Sequence, residues 1–297
     1  MNKPMVSTRR EALTIGLITA AAPGFASAAP ASPSVTQERW INVDGASLYV
    51  RETGAAHWPA VVLAHPVSGS ALVWTGQEQR YAAAGYRVVA WSRRDHERSK
   101  VTPGAHDPGA TSDLLQIADT LRIDRFHALG SAAGGGVMLD FAVAYPKRLL
   151  SLIVANNIGN VADPALRKRS DALRPVPFMQ LPNSFRELGP AYRADNPTGV
   201  ERWEALERTA RTAPLGPPPR GTIEWTDIER LTMPILWITG DADLYAPPPL
   251  LAEHRRRAKG SELAVIAGAG HSVYWECPDA FDARVLDFWR RRGVNQP

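Results

Sequence analysis

The chain predicts an α/β fold, a mostly parallel sheet with helices on both faces and an inserted helical lid. Three observations point there. Short apolar runs of strand length alternate with amphipathic helical patterns, the arrangement that parallel βαβ units require. The rhythm stops once, between residues 156 and 232, where helical patterns and prolines replace strands. It then resumes for the last third of the 297 residues.

The elements follow in order. Trp40–Val43 and Ser47–Arg51 flank Asp44-Gly45 and read as an opening hairpin. Ala60–Ala64 is a continuous apolar strand, followed by a helix over Ser70–Ala84. Tyr86–Ala90 is the next strand and Thr111–Leu121 the helix behind it. Phe126–Leu129 is a strand that runs into the turn ALGSAAGGGV, and Val137–Tyr145 is the helix that leaves it. Leu150–Ala155 is again a strand. After the helical insertion come the strand Pro234–Thr239, a helix over Pro248–Lys259, the strand Leu263–Ile266 and a last helix over Asp279–Arg291. Residues 38–155 and 233–292 thus form one α/β core, and 156–232 form the lid. The proline-rich run Ala213–Gly221 is its stiff exit.

Residues 1–28 lie outside this pattern. Lys3, Arg9 and Arg10 precede an apolar run from Ala12 to Ala22, and Ala26-Ser27-Ala28 is a small-residue cleavage site. The pair Arg9-Arg10 matches a twin-arginine export signal, so the mature chain is expected in the periplasm or outside the cell. The apolar run is too short to span a bilayer, and no stable membrane anchor is expected after cleavage. The formal net charge of +4 includes Lys3, Arg9, Arg10 and Glu11, a surplus of two charges that leaves with the signal. The near-neutral remainder, with its short and scattered basic clusters, gives no support for nucleic-acid binding. Cys277 is the single cysteine, so no intrachain disulfide forms.

Three motifs carry the chemistry. Gly130-Ser131-Ala132-Ala133-Gly134 follows a strand and precedes a helix. Gly240-Asp241-Ala242-Asp243-Leu244-Tyr245-Ala246-Pro247 follows a later strand, and Gly268-Ala269-Gly270-His271-Ser272 precedes the last helix. Together they resemble the α/β-hydrolase fold superfamily, in an esterase- or lactonase-like form with a helical lid, over residues 38–292. Those enzymes place a serine in Gly-x-Ser-x-Gly, then an acid, then a histidine, in that chain order. The resemblance implies that His271 is the base and Asp243 the carboxylate that fixes its tautomer, with Asp241 as the competitor. It implies an oxyanion hole from the backbone N–H groups of Ala133 and of Val67, the latter in the loop Ala64–Ser70. There Pro66 stands where the family has glycine. In Ser92–Ser99, Asp95 and Glu97 likewise stand at family glycine positions; Arg94 or His96 could reach the pocket, or the charges could pair within a surface turn. His57, His106 and His254 are expected in solvent.

The departure that matters most is Ala132, which occupies the nucleophile position. Ser131 is a weak substitute. Glycines two residues on either side let strand and helix approach when the turn is centred on Ala132, and the same offsets from Ser131 fall on Leu129 and Ala133. Two accounts fit: a serine replaced by alanine to trap a substrate complex, or a natural variant that uses the His–Asp pair without a covalent intermediate. The export signal favours the second. The expected activity is on a small hydrophobic ester, lactone or other carbonyl compound, with Trp74, Tyr245, Tyr274 and Trp275 lining the pocket. A cofactor-independent lyase or oxygenase on the same fold, or a non-catalytic small-molecule binder, are the alternatives. No cofactor is expected, since no dinucleotide fingerprint, phosphate loop or metal cluster occurs in the sequence. The oligomeric state is left open.

Overall fold

A computed structural model describes residues 34–214 and 223–292. The export-signal reading, and most of the proline-rich exit of the lid, fall on residues outside these. Nine strands form one sheet: β1 Thr36–Val43, β2 Ala46–Thr53, β3 Ala60–Ala64, β4 Arg87–Trp91, β5 Lys100–Val101, β6 Phe126–Ser131, β7 Leu149–Ala155, β8 Ile235–Gly240 and β9 Glu262–Ile266. Their order is β1-β2-β4-β3-β6-β7-β8-β9, with β5 paired to β2 off this path. The expected eight-stranded type is therefore met along the main path, and the two-residue β5 is an addition that no apolar run announces. The opening hairpin and the β2–β4 and β2–β5 pairs are antiparallel, and the path β4-β3-β6-β7-β8-β9 is parallel throughout.

Why these residues become strands follows from burial. β3, β4, β6 and β8 are buried along their whole length, as strands covered on both faces must be, so they read as unbroken apolar runs rather than alternating ones. Alternate side chains still go to opposite faces. On β3, Ala60, Val62 and Ala64 join one core layer, and Val61 and Leu63 join the other.

The core helices are α1 Thr75–Ala83, α2 Ala110–Thr120 and α3 Ala133–Ala144. Between β7 and β8 come α4 Pro164–Ala172, α5 Val176–Met179, α6 Asn183–Glu187, α7 Pro190–Asp195, α8 Pro197–Ala210 and α9 Trp225–Glu229. After β8 come α10 Pro248–Arg257, α11 Val273–Glu276 and α12 Pro278–Arg291. α1 and α12 cover one face, where Tyr81 meets Trp289 edge-on at 5.1 Å and its hydroxyl donates to Asp282 at 2.7 Å. α2, α3 and α10 cover the other through Leu114, Phe141 and Leu251.

Three sequence expectations are corrected. The helix expected over Ser70–Ala84 is split: Ser70 caps a short 3-10 turn, Ala71–Trp74, before α1 begins. α3 starts four residues earlier than Val137, because its glycines are helical and serve close packing rather than chain reversal. His254 is fully buried against Trp225 and Trp237, with ring centroids at 4.9 and 5.2 Å, because α10 turns that face inward. His57 and His106 are exposed, as expected.

Candidate active site

The three motif loops converge at the carboxyl ends of β6, β8 and β9, the edge where open α/β sheets build their sites. The first is the turn from β6 into α3. Ala132 sits at its apex with φ 50° and ψ −122°, a conformation that costs an L-residue on the order of 1–3 kcal/mol. The flanking glycines are obligatory. A side chain on Gly130 would enter the backbone of Gly134, and one on Gly134 would enter the carbonyl of Ala64. The apex is anchored by the Ala132 N–H, which donates to the Ala155 carbonyl at 2.9 Å. Ala133 opens α3, so its N–H has no intrahelical acceptor. Ser131 is the last residue of β6, opposite Ala155, and its hydroxyl is enclosed without a hydrogen-bond partner among the described residues.

Facing this turn is the loop after β3. Gly69 N–H closes a tight turn on the Pro66 carbonyl at 3.2 Å, and Val67 follows Pro66 within it, where the turn leaves its N–H unused. His65 fixes the loop from below. Its Nδ1 lies 2.7 Å from the Pro66 carbonyl and its Nε2 accepts the Arg93 N–H at 3.0 Å, so one neutral tautomer is imposed. Burial, with Arg93 and His96 adjacent, holds its pKa well below the usual value.

His271 supplies the remaining half. Its Nδ1 lies 2.9 and 3.0 Å from the two carboxylate oxygens of Asp243, which leaves Nε2 as the free nitrogen. Asp243 is held from every side: Tyr245 N–H donates at 2.7 Å, Ala246 N–H at 3.2 Å, Asn156 Nδ2 at 2.9 Å and the Thr239 hydroxyl at 3.3 Å. Burial alone would raise this carboxyl, but the His271 charge and these donors together hold it below the ordinary value. For His271 burial pulls downward, and Asp243, joined by Glu187, leaves the imidazole above its ordinary value. Asp241, the competitor for the acid position, instead accepts the Gly268 N–H at 2.9 Å at the surface.

The four expected lining aromatics separate. Tyr245 lies over His271, with ring centroids 4.4 Å apart, and Arg174 packs over the tyrosine ring at 4.5 Å. Trp74 and Tyr274 are buried together at 4.6 Å, their indole N–H and phenol hydroxyl enclosed without hydrogen-bond partners among the described residues. Trp275 reaches the helical insertion, donating to the Gly199 carbonyl at 3.3 Å.

The loop after β4 resolves both of its open readings. Arg94 is buried and turns away from the site, donating to Asp113 at 2.8 and 2.9 Å. His96 instead packs on His65 at 4.6 Å under the loop after β3. Asp95 adopts φ 57°, the backbone shape that the family glycine would supply.

Sequence reasoning missed three residues. Asn156, at φ 55°, ties Asp243 to the histidine loop by donating also to the Gly270 carbonyl at 3.3 Å. Its place at the end of β7 was the available signal. Glu187, at the end of α6, accepts the Ser68 hydroxyl at 2.6 Å, and its backbone carbonyl accepts the His271 N–H at 2.8 Å. Burial, opposed by the nearby His271 charge and the Ser68 bond, raises its carboxyl above the ordinary value. Glu276 receives N–H groups from Gly189 and Gly270 at 2.7 and 2.9 Å and from Ser272 at 3.0 Å. Neither glutamate lies in a motif.

Comparison with known proteins identifies the family. The family model described as "Alpha/beta hydrolase family" matches residues 61–284. A 2-hydroxy-6-oxononadienedioate/2-hydroxy-6-oxononatrienedioate hydrolase of Burkholderia vietnamiensis is 26% identical over 288 residues, covering 85% of this chain and 96% of that protein. A 2-hydroxy-6-oxo-6-phenylhexa-2,4-dienoate hydrolase of Comamonas testosteroni is 24% identical, covering 80% and 90%. Among solved structures, a thermophilic esterase from Thermogutta terrifontis superposes with a TM-score of 0.71 at 22% identity, covering 88% of this chain and 99% of that one. An enol-lactonase from Burkholderia xenovorans LB400 gives 0.66 at 22%, covering 84% and 99%. The chain belongs to the alpha/beta hydrolase family, and it carries alanine at the apex of the strand-to-helix turn.

Proposed function

We propose that the protein is an exported enzyme that acts on a small, fairly hydrophobic ester, lactone or related carbonyl compound without forming an acyl-enzyme. The observation that carries this reading is the complete His271–Asp243 pair opposite a side chain with no nucleophile. In serine hydrolases, loss of the nucleophile costs roughly a millionfold in turnover. A chain that keeps the base, its orienting acid and the acid's four donors uses that base for something else. His271 Nε2 takes a proton from water and directs it at the carbonyl, or takes it from a carbon acid next to that carbonyl. The Val67 and Ala133 N–H groups hold the oxygen on which negative charge develops. Residues 156–232 act as the lid that covers the substrate, and residues 1–28 direct export to the periplasm or beyond.

The test uses the purified protein beside its Ala132→Ser and His271→Ala variants on chromogenic esters and lactones. Turnover by the unmodified protein that disappears in His271→Ala supports the reading. Turnover by Ala132→Ser alone would overturn serine-free ester or lactone hydrolysis and leave proton abstraction, read by exchange of a substrate C–H in deuterated water. Absence of that exchange as well would indicate a small-molecule binder.

A further inference from the structure

One polar cluster beside the site has no part in the base chemistry. It consists of Arg93 and His96, after β4, and Arg211, after α8. The backbone brings the two segments together: Glu97 N–H donates to the Ala210 carbonyl at 2.8 Å and Thr212 N–H to the Asp95 carbonyl at 2.9 Å, with His96 and Arg211 opposite one another in an antiparallel bridge. The cluster abuts the oxyanion loop, since a guanidinium nitrogen of Arg93 donates to the His65 carbonyl at 3.4 Å.

Its charges are unbalanced. Among the described residues no carboxylate lies within ion-pair distance of Arg93 or Arg211, whereas Arg94, next in sequence, holds Asp113 with two bonds. Of the lid arginines near the base, Arg174 pairs with Asp171 at 3.3 Å, while Arg186 is held by neutral acceptors, the Tyr245 hydroxyl at 3.2 Å and the Asn183 amide oxygen. Arg93 Nε is enclosed without a hydrogen-bond partner among the described residues. Burial, reinforced by the like charge of Arg211, pushes the Arg93 guanidinium down to about 10. His96 is 7% exposed, and its Nδ1 lies 2.8 Å from the Arg94 carbonyl, so Nδ1 carries the proton. Its Nε2 is enclosed without a hydrogen-bond partner among the described residues. Desolvated cations without counter-charge destabilise a fold, and orphaned polar atoms add to that cost. A carboxylate seated on Arg93 supplies the missing counter-charge and an acceptor for the orphaned Nε–H, and the half-buried Arg211, whose guanidinium also donates to the Ala213 carbonyl at 2.5 Å, adds its charge from alongside.

We propose that Arg93 and Arg211 form a carboxylate-binding subsite beside the oxyanion loop, so that the substrate carries a carboxylate in addition to its reacting carbonyl. This rests on the reading of the site as a carbonyl-processing centre and names its substrate class. A carboxylate fits because the unpartnered Nε–H of Arg93 forms, with the second hydrogen of the Nη2 that faces His65, the planar fork that binds two oxygens side by side. With the carboxylate docked there, the rest of the molecule extends past Val67 toward Ala132 and His271.

Binding tests this without turnover. Calorimetric titration of the purified protein compares 4-phenylbutanoate with its neutral amide, 4-phenylbutanamide. The acid should bind about tenfold or more tightly than the amide, a difference that Arg93→Met abolishes and Arg211→Gln reduces by several-fold. The thermal midpoint of Arg93→Met without ligand should stay level or rise, because an unpaired cation has gone. His271→Ala should leave the acid's affinity within about twofold, so failure of the base reading and failure of the subsite are separable. Equal affinity for acid and amide, no binding of either, retained acid preference in Arg93→Met, or tighter binding of inorganic phosphate than of the acid would each overturn the proposal.

Discussion

The elbow at Ala132 and the loop at His271 are two halves of one site, and they have kept different things. At the elbow the backbone has the family's form and the apex side chain is a methyl: the positive φ, the two clash-limited glycines and an Ala133 N–H with no intrahelical acceptor are all present. At His271 the side-chain chemistry is intact as well, down to four donors that fix the orientation of Asp243. On the function proposed above, the difference teaches that the elbow serves to deliver a backbone donor, a use that needs no hydroxyl.

The most severe way to break the comparison is Gly134→Val. A β-branched side chain cannot coexist with the Ala64 carbonyl, so β3 and α3 must separate. The expected cost exceeds about 4 kcal/mol, read as loss of the cooperative transition in thermal denaturation. Next comes Asp243→Asn, which should lower any turnover by about 10⁴-fold through the wrong imidazole tautomer, with the fold intact by circular dichroism. Ala132→Gly sharpens the elbow half. It relieves an L-residue held at φ 50°, so the thermal midpoint should rise, by about 2–4 °C if the relief is about 1 kcal/mol. A fall would mean that the methyl packs better than it strains.

The smallest expected effect concerns Glu187. Activity that needs neutral His271 is lost as pH falls through the imidazole's pKa, which lies above the ordinary value near 6.5. Glu187→Gln removes one of the charges that raise it, so the acid limb of the pH–rate profile should move to lower pH, with the alkaline plateau retained. A limb that stays in place would limit Glu187 to its contacts with Ser68 and the histidine loop.

What was legible in the sequence follows from where the physics is local. The parallel strands announced themselves because burial on both faces demands unbroken apolar runs. Gly130 and Gly134 marked the elbow because no other residue fits. The spacing from Asp243 to Pro247 separated it from Asp241, and the structure pairs Asp243 with His271. The helical insertion carried no such signal. Glu187 sits between Arg186 and Leu188 in a stretch whose polar residues look alike, and only the long-range meeting with Ser68 and His271 distinguishes it. His254 misled for the same reason: near three arginines it reads as solvent-facing, yet the α10 face it occupies is the buried one.

Glu276 has a consequence for how the pocket can open. Its carboxylate grips N–H groups on both sides of a seam, Gly189 from the ceiling and Gly270 and Ser272 from the histidine turn, while the Glu187 carbonyl crosses the same seam in the other direction. The ceiling at this edge is therefore part of the bracket on which the imidazole is mounted. Prising it upward would pull His271 off Asp243, so a substrate entering by that door would find the machine dismantled. With residues 156–232 as the lid proposed above, substrate enters from another side and the base stays in register while it does.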